Sequence, residues 1–215
     1  MRKLLFPLIA LLGLVITLSA YKKDAAGIEK ITAPSPKYAP TKWTIDKSHS
    51  NVKFTVTHLV ISDVEGYFKI FDGSLEHSNP DFSDAKINFT VDVNSINTDN
   101  ENRDKHLKSD DFFSAEKFPQ MKFESTSFTS QGNNKYKLAG NLTIRDVTKP
   151  VTFDVTYGGI AKMGKTTKSG FKAKGTINRF DYGLKWDRAT EAGGMVVGKE
   201  VEIVVNAELN QAAAQ

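Results

Sequence analysis

Ala85-Lys-Ile-Asn-Phe-Thr-Val-Asp-Val93 alternates without a break, with Ala85, Ile87, Phe89, Val91 and Val93 on one side and Lys86, Asn88, Thr90 and Asp92 on the other. A side-chain period of two belongs to an extended strand with one face in an apolar interior and one in water. The pattern recurs in both directions from there. Toward the N-terminus, residues 51–59 align Val52, Phe54, Val56 and His58. Toward the C-terminus, residues 138–144 align Leu142 and Ile144, and 151–157 align Phe153 and Val155. Residues 171–177 then align Phe171 and Ile177, and 201–209 align Val201, Ile203 and Val205. Weaker alternation marks 42–46, 66–75 and 121–128. Turn-forming clusters separate these runs: Ser78-Asn-Pro-Asp81, Gln131-Gly-Asn-Asn134, Asp146 to Pro150, and Gly193-Gly194.

About eight such strands need one shared interior, and an all-β, antiparallel eight-stranded barrel supplies it while removing exposed edges. A two-sheet sandwich satisfies the same alternation, so periodicity alone leaves both open. The small residues on the inner faces, Gly140, Ala173, Gly175 and Ala207, read either as spare room or as bends where strands turn corners. One segment departs from the pattern. Thr98-Asp-Asn-Glu101 fits a capping box, so a short helical insertion is expected over 102–113, stopped before Pro119. Arg103, His106 or Leu107, Asp110 and Phe113 would share one side of it.

Composition narrows the function. The chain has 215 residues with 29 Lys plus Arg against 25 Asp plus Glu, a formal charge of +4. All of that excess sits before residue 41, where Arg2, Lys3, Lys22, Lys23, Lys30 and Lys37 face only Asp24 and Glu29. The balanced remainder has no bulk attraction for a polyanion, which argues against nucleic acid as a partner. The chain has 0 cysteines, which excludes disulfide scaffolds, thiol nucleophiles and thiolate metal sites. Arg2 and Lys3 precede the apolar run Leu4 to Leu18, the pattern of a bacterial-type secretory signal, so the expected location is periplasmic or secreted. Left uncleaved, residues 1–20 would act as an anchor helix, tethering the protein near a membrane. Leu18-Ser-Ala-Tyr21 resembles a lipoprotein signal box with tyrosine where the acylated cysteine should be. Residues 21–40, with Pro34, Pro36 and Pro40, read as a flexible linker. The barrel domain is then 41–210, and 211–215 a disordered tail.

Several runs, in order, carry a family resemblance: Trp43-Thr-Ile-Asp46-Lys-Ser48-His49-Ser50, Val64-Glu-Gly66-Tyr-Phe68, Asn102-Arg103-Asp104-Lys-His106-Leu107, Gly140-Asn-Leu142-Thr-Ile144, and Ile177-Asn-Arg179-Phe-Asp181-Tyr182-Gly183. Together they resemble the YceI-like family of secreted polyisoprenoid-binding proteins. Asp146 departs from that pattern, since a glycine is common there in similar sequences. The resemblance implies a lipocalin-like barrel whose lumen holds a long-chain isoprenoid lipid, such as an isoprenoid quinone or a polyprenyl alcohol or phosphate. The aligned residues named above, from Val52 to Val205, would then line the lumen.

An isoprenoid tail has no hydrogen-bonding groups, so polar side chains belong only at the mouth. The candidates there are His49, Arg103, His106 and Arg179. Each arginine also admits a structural reading, an ion pair with Asp104, Asp110 or Asp181. His58 reads first as a buried, hydrogen-bonded imidazole, next as a ligand contact and last as a metal or haem ligand. His77 reads as a solvated loop residue. No metal site or cofactor is expected. No Gly-x-Ser-x-Gly, His-Glu-x-x-His or phosphate-cradling loop is present, so the reading is a binding protein and not an enzyme. The rivals are a lipocalin-like binder of haem or a fatty acid, and an enzyme that modifies such a lipid. Strand edges and Phe or Tyr patches also leave a homodimer open.

Overall fold

The computed structural model describes residues 38–189 and 194–213. Its strands are β1 (Thr41–Ile45), β2 (Asn51–His58), β3 (Ser62–Phe68), β4 (Phe71–His77), β5 (Lys86–Asp92) and β6 (Ile96–Asn97), followed by the helix α1 (Glu101–Lys108). Then come β7 (Gln120–Gly132), β8 (Lys135–Ile144), β9 (Val147–Met163), β10 (Thr166–Asn178) and β11 (Val197–Gln211). Neighbours run antiparallel in the order β1-β4-β5-β7-β8-β9-β10-β11, and β11 returns to β1 through Trp43 opposite Gln211 and Ile45 opposite Leu209. That closes a barrel and decides against the sandwich. β2, β3 and β6 continue the sheet from the other half of β11, where Val56 lies opposite Val201.

The run at 66–75 is two strands, not one. β3 and β4 are separated at Lys69–Ile70, and β5 and β6 at residues 93–95. The two interruptions bond to each other, Lys69 N–H to the Ser95 carbonyl (3.1 Å) and Asp92 N–H to the Ile70 carbonyl (2.9 Å). The neighbouring break between β1 and β2 is held to β11 by Asp46 N–H on the Glu208 carbonyl (2.7 Å). Aligned breaks in adjacent strands let a closed sheet bend without losing backbone partners.

Of the inward glycines, Gly140 stands beside the bulge between Ser125 and Ser127 of β7, as the bend reading expects, and Gly73, Gly140 and Gly175 each make room for a ring. A Cβ on Gly175 would lie 2.6 Å from the Phe153 ring, and one on Gly73 would lie 2.6 Å from Phe89. Phe123 covers Gly140 and Phe54 covers Gly66 in the same way. Each missing side chain lets a ring on an adjacent strand lie flat against the wall, which keeps bulky aromatics out of the middle of the barrel.

The helix also differs from expectation. It ends at Lys108, and its N-cap is Asn100, whose side chain accepts from Arg103 N–H (3.0 Å). Thr98 does not cap: its hydroxyl and N–H donate to the buried Asp104 carboxylate (2.6 and 2.9 Å), and Oγ1, held there, accepts from Arg103 Nε (2.8 Å) instead of from the first helical turn. β11 runs to Gln211, one residue into the expected tail, because its pairing with Trp43 holds that residue in the sheet. The expected leader or anchor at 1–20 and all of the linker before residue 38 lie outside the described residues, as do Ala214 and Gln215. Among the described residues no helix is long and apolar enough to cross a membrane.

Candidate functional site: a divided apolar lumen

Alternation sends one face of every strand inward, and those faces line a partly open cavity with about 1120 Å³ of atom-free space, the solvent at its mouth included. Of the residues expected to line a lumen, Val52, Phe54, Ile87, Phe89, Val91, Leu142, Ile144, Phe153, Val155, Phe171, Ile203 and Val205 do so. Leu75, Phe128, Leu138 and Ala207 complete much of the wall. The polar residues at its edge, Lys53, Ser74, Asn88 and Lys122, alternate outward, Lys53 half-buried and the others exposed, so they present backbone to the interior. A second cavity, with about 620 Å³ of atom-free space, is lined by Val56, Ile177, Arg179 and Val201 together with Phe112, Phe113, Leu184 and Val197. Phe54, Phe68, Met121, Ile144 and Ile203 border both cavities, so side chains, not backbone, divide the lumen.

One end is closed by aromatics that the sequence reading missed. Phe82, in the loop before β5, is 4% exposed and packs against His77 (4.4 Å between centroids), Tyr157 (5.3 Å) and Phe171 (5.6 Å). Its backbone is left-handed, with φ 62°, a conformation that costs a bulky residue energy and persists only under tight packing. The loop is fastened by Asp84, which accepts from the N–H groups of Asn79 and Ser78 (both 2.9 Å), and by Asp81, which accepts from Ser83 N–H (3.0 Å). These backbone donors hold both carboxyls below their ordinary range. His77 is not solvated. Its Nδ1 faces the Asn79 carbonyl (2.9 Å), which can only accept, and its Nε2 faces the Trp43 indole N–H (3.0 Å), which can only donate. Those partners select the neutral tautomer protonated on Nδ1.

At the other end stands Arg179, buried at 4% exposure. Its Nε donates to the Gly198 carbonyl (2.8 Å), Nη1 to those of Leu184 (2.6 Å) and Trp186 (2.8 Å), and Nη2 to that of Val197 (2.8 Å). Burial pulls its pKa below the usual value, with Asp187 opposing in part. Backbone carbonyls take the place of the ion pair considered for it, because they need the donors and lie closer than any carboxylate. Arg103 likewise bonds Thr98, through Nε to Oγ1 (2.8 Å) and Nη2 to the carbonyl (2.7 Å). Asp110 instead takes Ser114 and Lys117, which hold its carboxyl below the ordinary range. His106 sits edge-on between Phe112 (5.1 Å) and Trp186 (4.9 Å), with Nε2 at 2.8 Å from Asp111. The buried Tyr182 hydroxyl has no hydrogen-bond partner among the described residues, and burial pushes its pKa up to about 12.

His106 and Arg179 are therefore brought together around Phe112 and Trp186, with Arg103 a turn away on α1. His49 is not. It lies on the outer face at the break between β1 and β2, with Nδ1 at 3.1 Å from Asp46 and 3.7 Å from Glu208. Asp46, His49 and Glu208 are of metal-ligating type and close together, but the Lys168 ammonium already occupies the cation position, 2.6 Å from Asp46 and 2.7 Å from Glu208. Lys168, with Ser48 and His49, keeps the Asp46 carboxyl far below its ordinary range, and the two carboxylates raise Lys168. His58 pairs with Val197 and Ser62 in the ladder, is half-buried, and lines neither cavity. Its imidazole makes no hydrogen bond among the described residues, so the expected buried partner is not there. Phe82, Phe112 and Trp186 lie in loops where periodicity carries no signal, although an aromatic beside a turn cluster is itself a hint.

The YceI-like domain model matches residues 43–209. A UPF0312 protein of Staphylococcus aureus (strain N315) is 41% identical over 172 residues, which cover 79% of this chain and 98% of that protein. The crystal structure of the Campylobacter jejuni YCEI protein is 34% identical and superposes with a TM-score of 0.63, covering 79% of this chain and 98% of its own. A polyisoprenoid binding domain from Saccharophagus degradans, implicated in plant cell wall breakdown, is 13% identical and superposes with a TM-score of 0.59, covering 79% and 98%. At that identity it shares the fold.

Proposed function

The chain belongs to the YceI-like family, and we propose from that premise that it binds a long-chain polyisoprenoid lipid in its lumen as a carrier or buffer. The observation that carries this reading is the larger cavity, whose inward-facing side chains are apolar throughout. A branched hydrocarbon gains about 25 cal/mol for each Å² it buries, and a wall without polar groups takes nothing back through desolvation. The solved neighbour described as a polyisoprenoid binding domain supports the same ligand class. The head group belongs at the end carrying Arg179 and His106. Arg179 uses four of its N–H groups on carbonyls, and a guanidinium has five. One donor remains for a head-group oxygen, and His106 stands nearby on its aromatic platform. The function is enclosure without covalent chemistry, because the side chains turned into the larger cavity include no nucleophile and no carboxylate. Given the apolar leader, it operates in the periplasm or outside the cell.

Organic extraction of the purified protein followed by mass spectrometry tests this. A lipid whose mass fits a chain of isoprene units is expected. A Soret band, copurifying fatty acids, or a lumen that takes up no added isoprenoid would each overturn it.

A further inference from the structure

The lumen ends in two tips that expose apolar side chains, and their charges differ in sign. At the turn between β2 and β3, Leu59, Val60 and Ile61 are exposed, and the charged residues between Lys53 and Lys69 are Asp63 and Glu65. At the opposite end, the β9–β10 hairpin exposes Ile160 (54%) and Met163 (68%). From 155 to 180 there is no acidic residue, whereas Lys162, Lys165, Lys168, Lys172, Lys174 and Arg179 are basic. Lys168 and Lys174 are engaged by carboxylates and Arg179 is buried at the far end, but Lys162 and Lys165 are exposed and make no ion pair among the described residues.

The hairpin also stands clear of the barrel. β8 accompanies β9 only as far as Thr156, apart from one bond from Tyr157 to Asn134, and the register between β9 and β10 then shifts at Gly170/Phe171 beside Gly159. Beyond that bulge β10 stays paired with β11 as far as Lys168 opposite Asn210, and past that row the tip pairs only with itself, Thr167 opposite Lys162 and Thr166 opposite Met163. Thr44, Asn210, Lys168 and Ala161 form one row across the sheet, so β1 begins at the same end as this tip. The chain before Thr41, with its apolar run Leu4 to Leu18 and Lys22, Lys23, Lys30 and Lys37, therefore joins the barrel at that end. Asp81 and Asp84 are also at this end and keep their negative charge, but they belong to the loop before β5, tied to its own N–H groups, and are not carried on the hairpin.

We propose that the β9–β10 hairpin tip docks on an anionic phospholipid bilayer, Ile160 and Met163 entering the headgroup layer while Lys162 and Lys165 meet the lipid phosphates. Apolar side chains alone favour any oily surface, and it is the unopposed lysines that select a negatively charged one. The acidic tip at the opposite end is repelled by the same surface. The contact is weak and reversible on its own. It does not depend on what the lumen holds.

The chain has 0 cysteines, so M163C places a single thiol at the tip of the full-length protein, and V60C places one at the opposite end. Each variant is labelled with an environment-sensitive fluorophore and mixed with vesicles of phosphatidylcholine with or without phosphatidylglycerol. The label at 163 should shift blue and be quenched by brominated acyl chains only when phosphatidylglycerol is present, while the label at 60 stays unchanged. K162E/K165E should lower the partition constant of the tip by at least about 30-fold, since losing each lysine costs about fivefold at an anionic surface and each glutamate adds repulsion. Because the K162E/K165E variant keeps the same leader, loss of its response shows that the label reports the hairpin and not attachment through residues 1–20. A silent label at 163, a response at 60 instead, an equal response without phosphatidylglycerol, or indifference to K162E/K165E would each overturn the proposal. Extraction of an isoprenoid is a separate result and can succeed or fail independently.

Discussion

The pairing of inward glycines with phenylalanine rings makes a sharp prediction for Gly73. A Cβ at that position would lie 2.6 Å from Cδ2 and 2.9 Å from Cε2 of Phe89, and an ordinary 3.5 Å from the Asn88 carbonyl. Carbon atoms prefer about 3.5–4.0 Å, so in G73A the ring must retreat by about 1 Å while the backbone need not move. Phe71 blocks one escape, since the two rings stack at 5.8 Å with a 14° tilt. The open direction is the lumen. Overpacking of this kind costs about 1–3 kcal/mol, and the partly empty lumen keeps it near the lower end, with part of a ring–ring contact worth about 0.5–1.5 kcal/mol also lost. G73A should therefore lower stability by about 2 kcal/mol in urea unfolding of the ligand-free protein. F89A removes every atom the new methyl would strike. In that background G73A should cost less than about 0.5 kcal/mol, which leaves a coupling of at least about 1 kcal/mol. The ring pushed inward should also reduce the isoprenoid retained by G73A relative to wild type. If the two substitutions add within about 0.5 kcal/mol, the ring does not rest on the glycine and the account of how the lumen is kept open fails.

Two further outcomes follow from buried and bridged charge. Asp46 is held ionised by Lys168, so its folded pKa lies below the unfolded value of about 3.9; its contribution to stability is complete above about pH 4 and lost as acid titrates it toward the depressed value. Thermal unfolding from neutral pH to about pH 3 should accordingly fall less steeply in D46N than in wild type, and parallel curves would remove the bridge from the stability account. R179M should destabilise by about 3 kcal/mol or more, because it strands the carbonyls of Leu184, Trp186, Val197 and Gly198. An unchanged urea midpoint would mean that water satisfies those groups as well as the guanidinium does.

The strands were legible because alternation is a local property, and runs such as 85–93 and 201–209 state their inner faces outright. Twelve of the lumen positions read that way line the larger cavity, and Val56, Ile177 and Val201 line the smaller one. His58 continues the same alternation and reaches neither, because it sits at the last rung of β2 beside the turn. The helix cap was misplaced because Thr98 and Asn100 are both competent acceptors, and the buried carboxylate of Asp104 settled which one was free. His77 looked solvated beside a Ser-Asn-Pro turn, yet Trp43, far away in sequence, supplies its second partner.

Alternation by itself determined that this chain makes one-sided strands enclosing an apolar interior, since period two and amphipathic faces need no knowledge of partners. Whether that interior is a closed barrel, where the lumen is divided by Phe54, Phe68 and Met121, and which loops carry the plug at Phe82 and the clamp at Arg179 were decided only by the tertiary structure. These features arise from groups that meet across the barrel with no fixed spacing in the chain. Their energies come from burial and from donors finding distant acceptors, and neither exists until the sheet has closed.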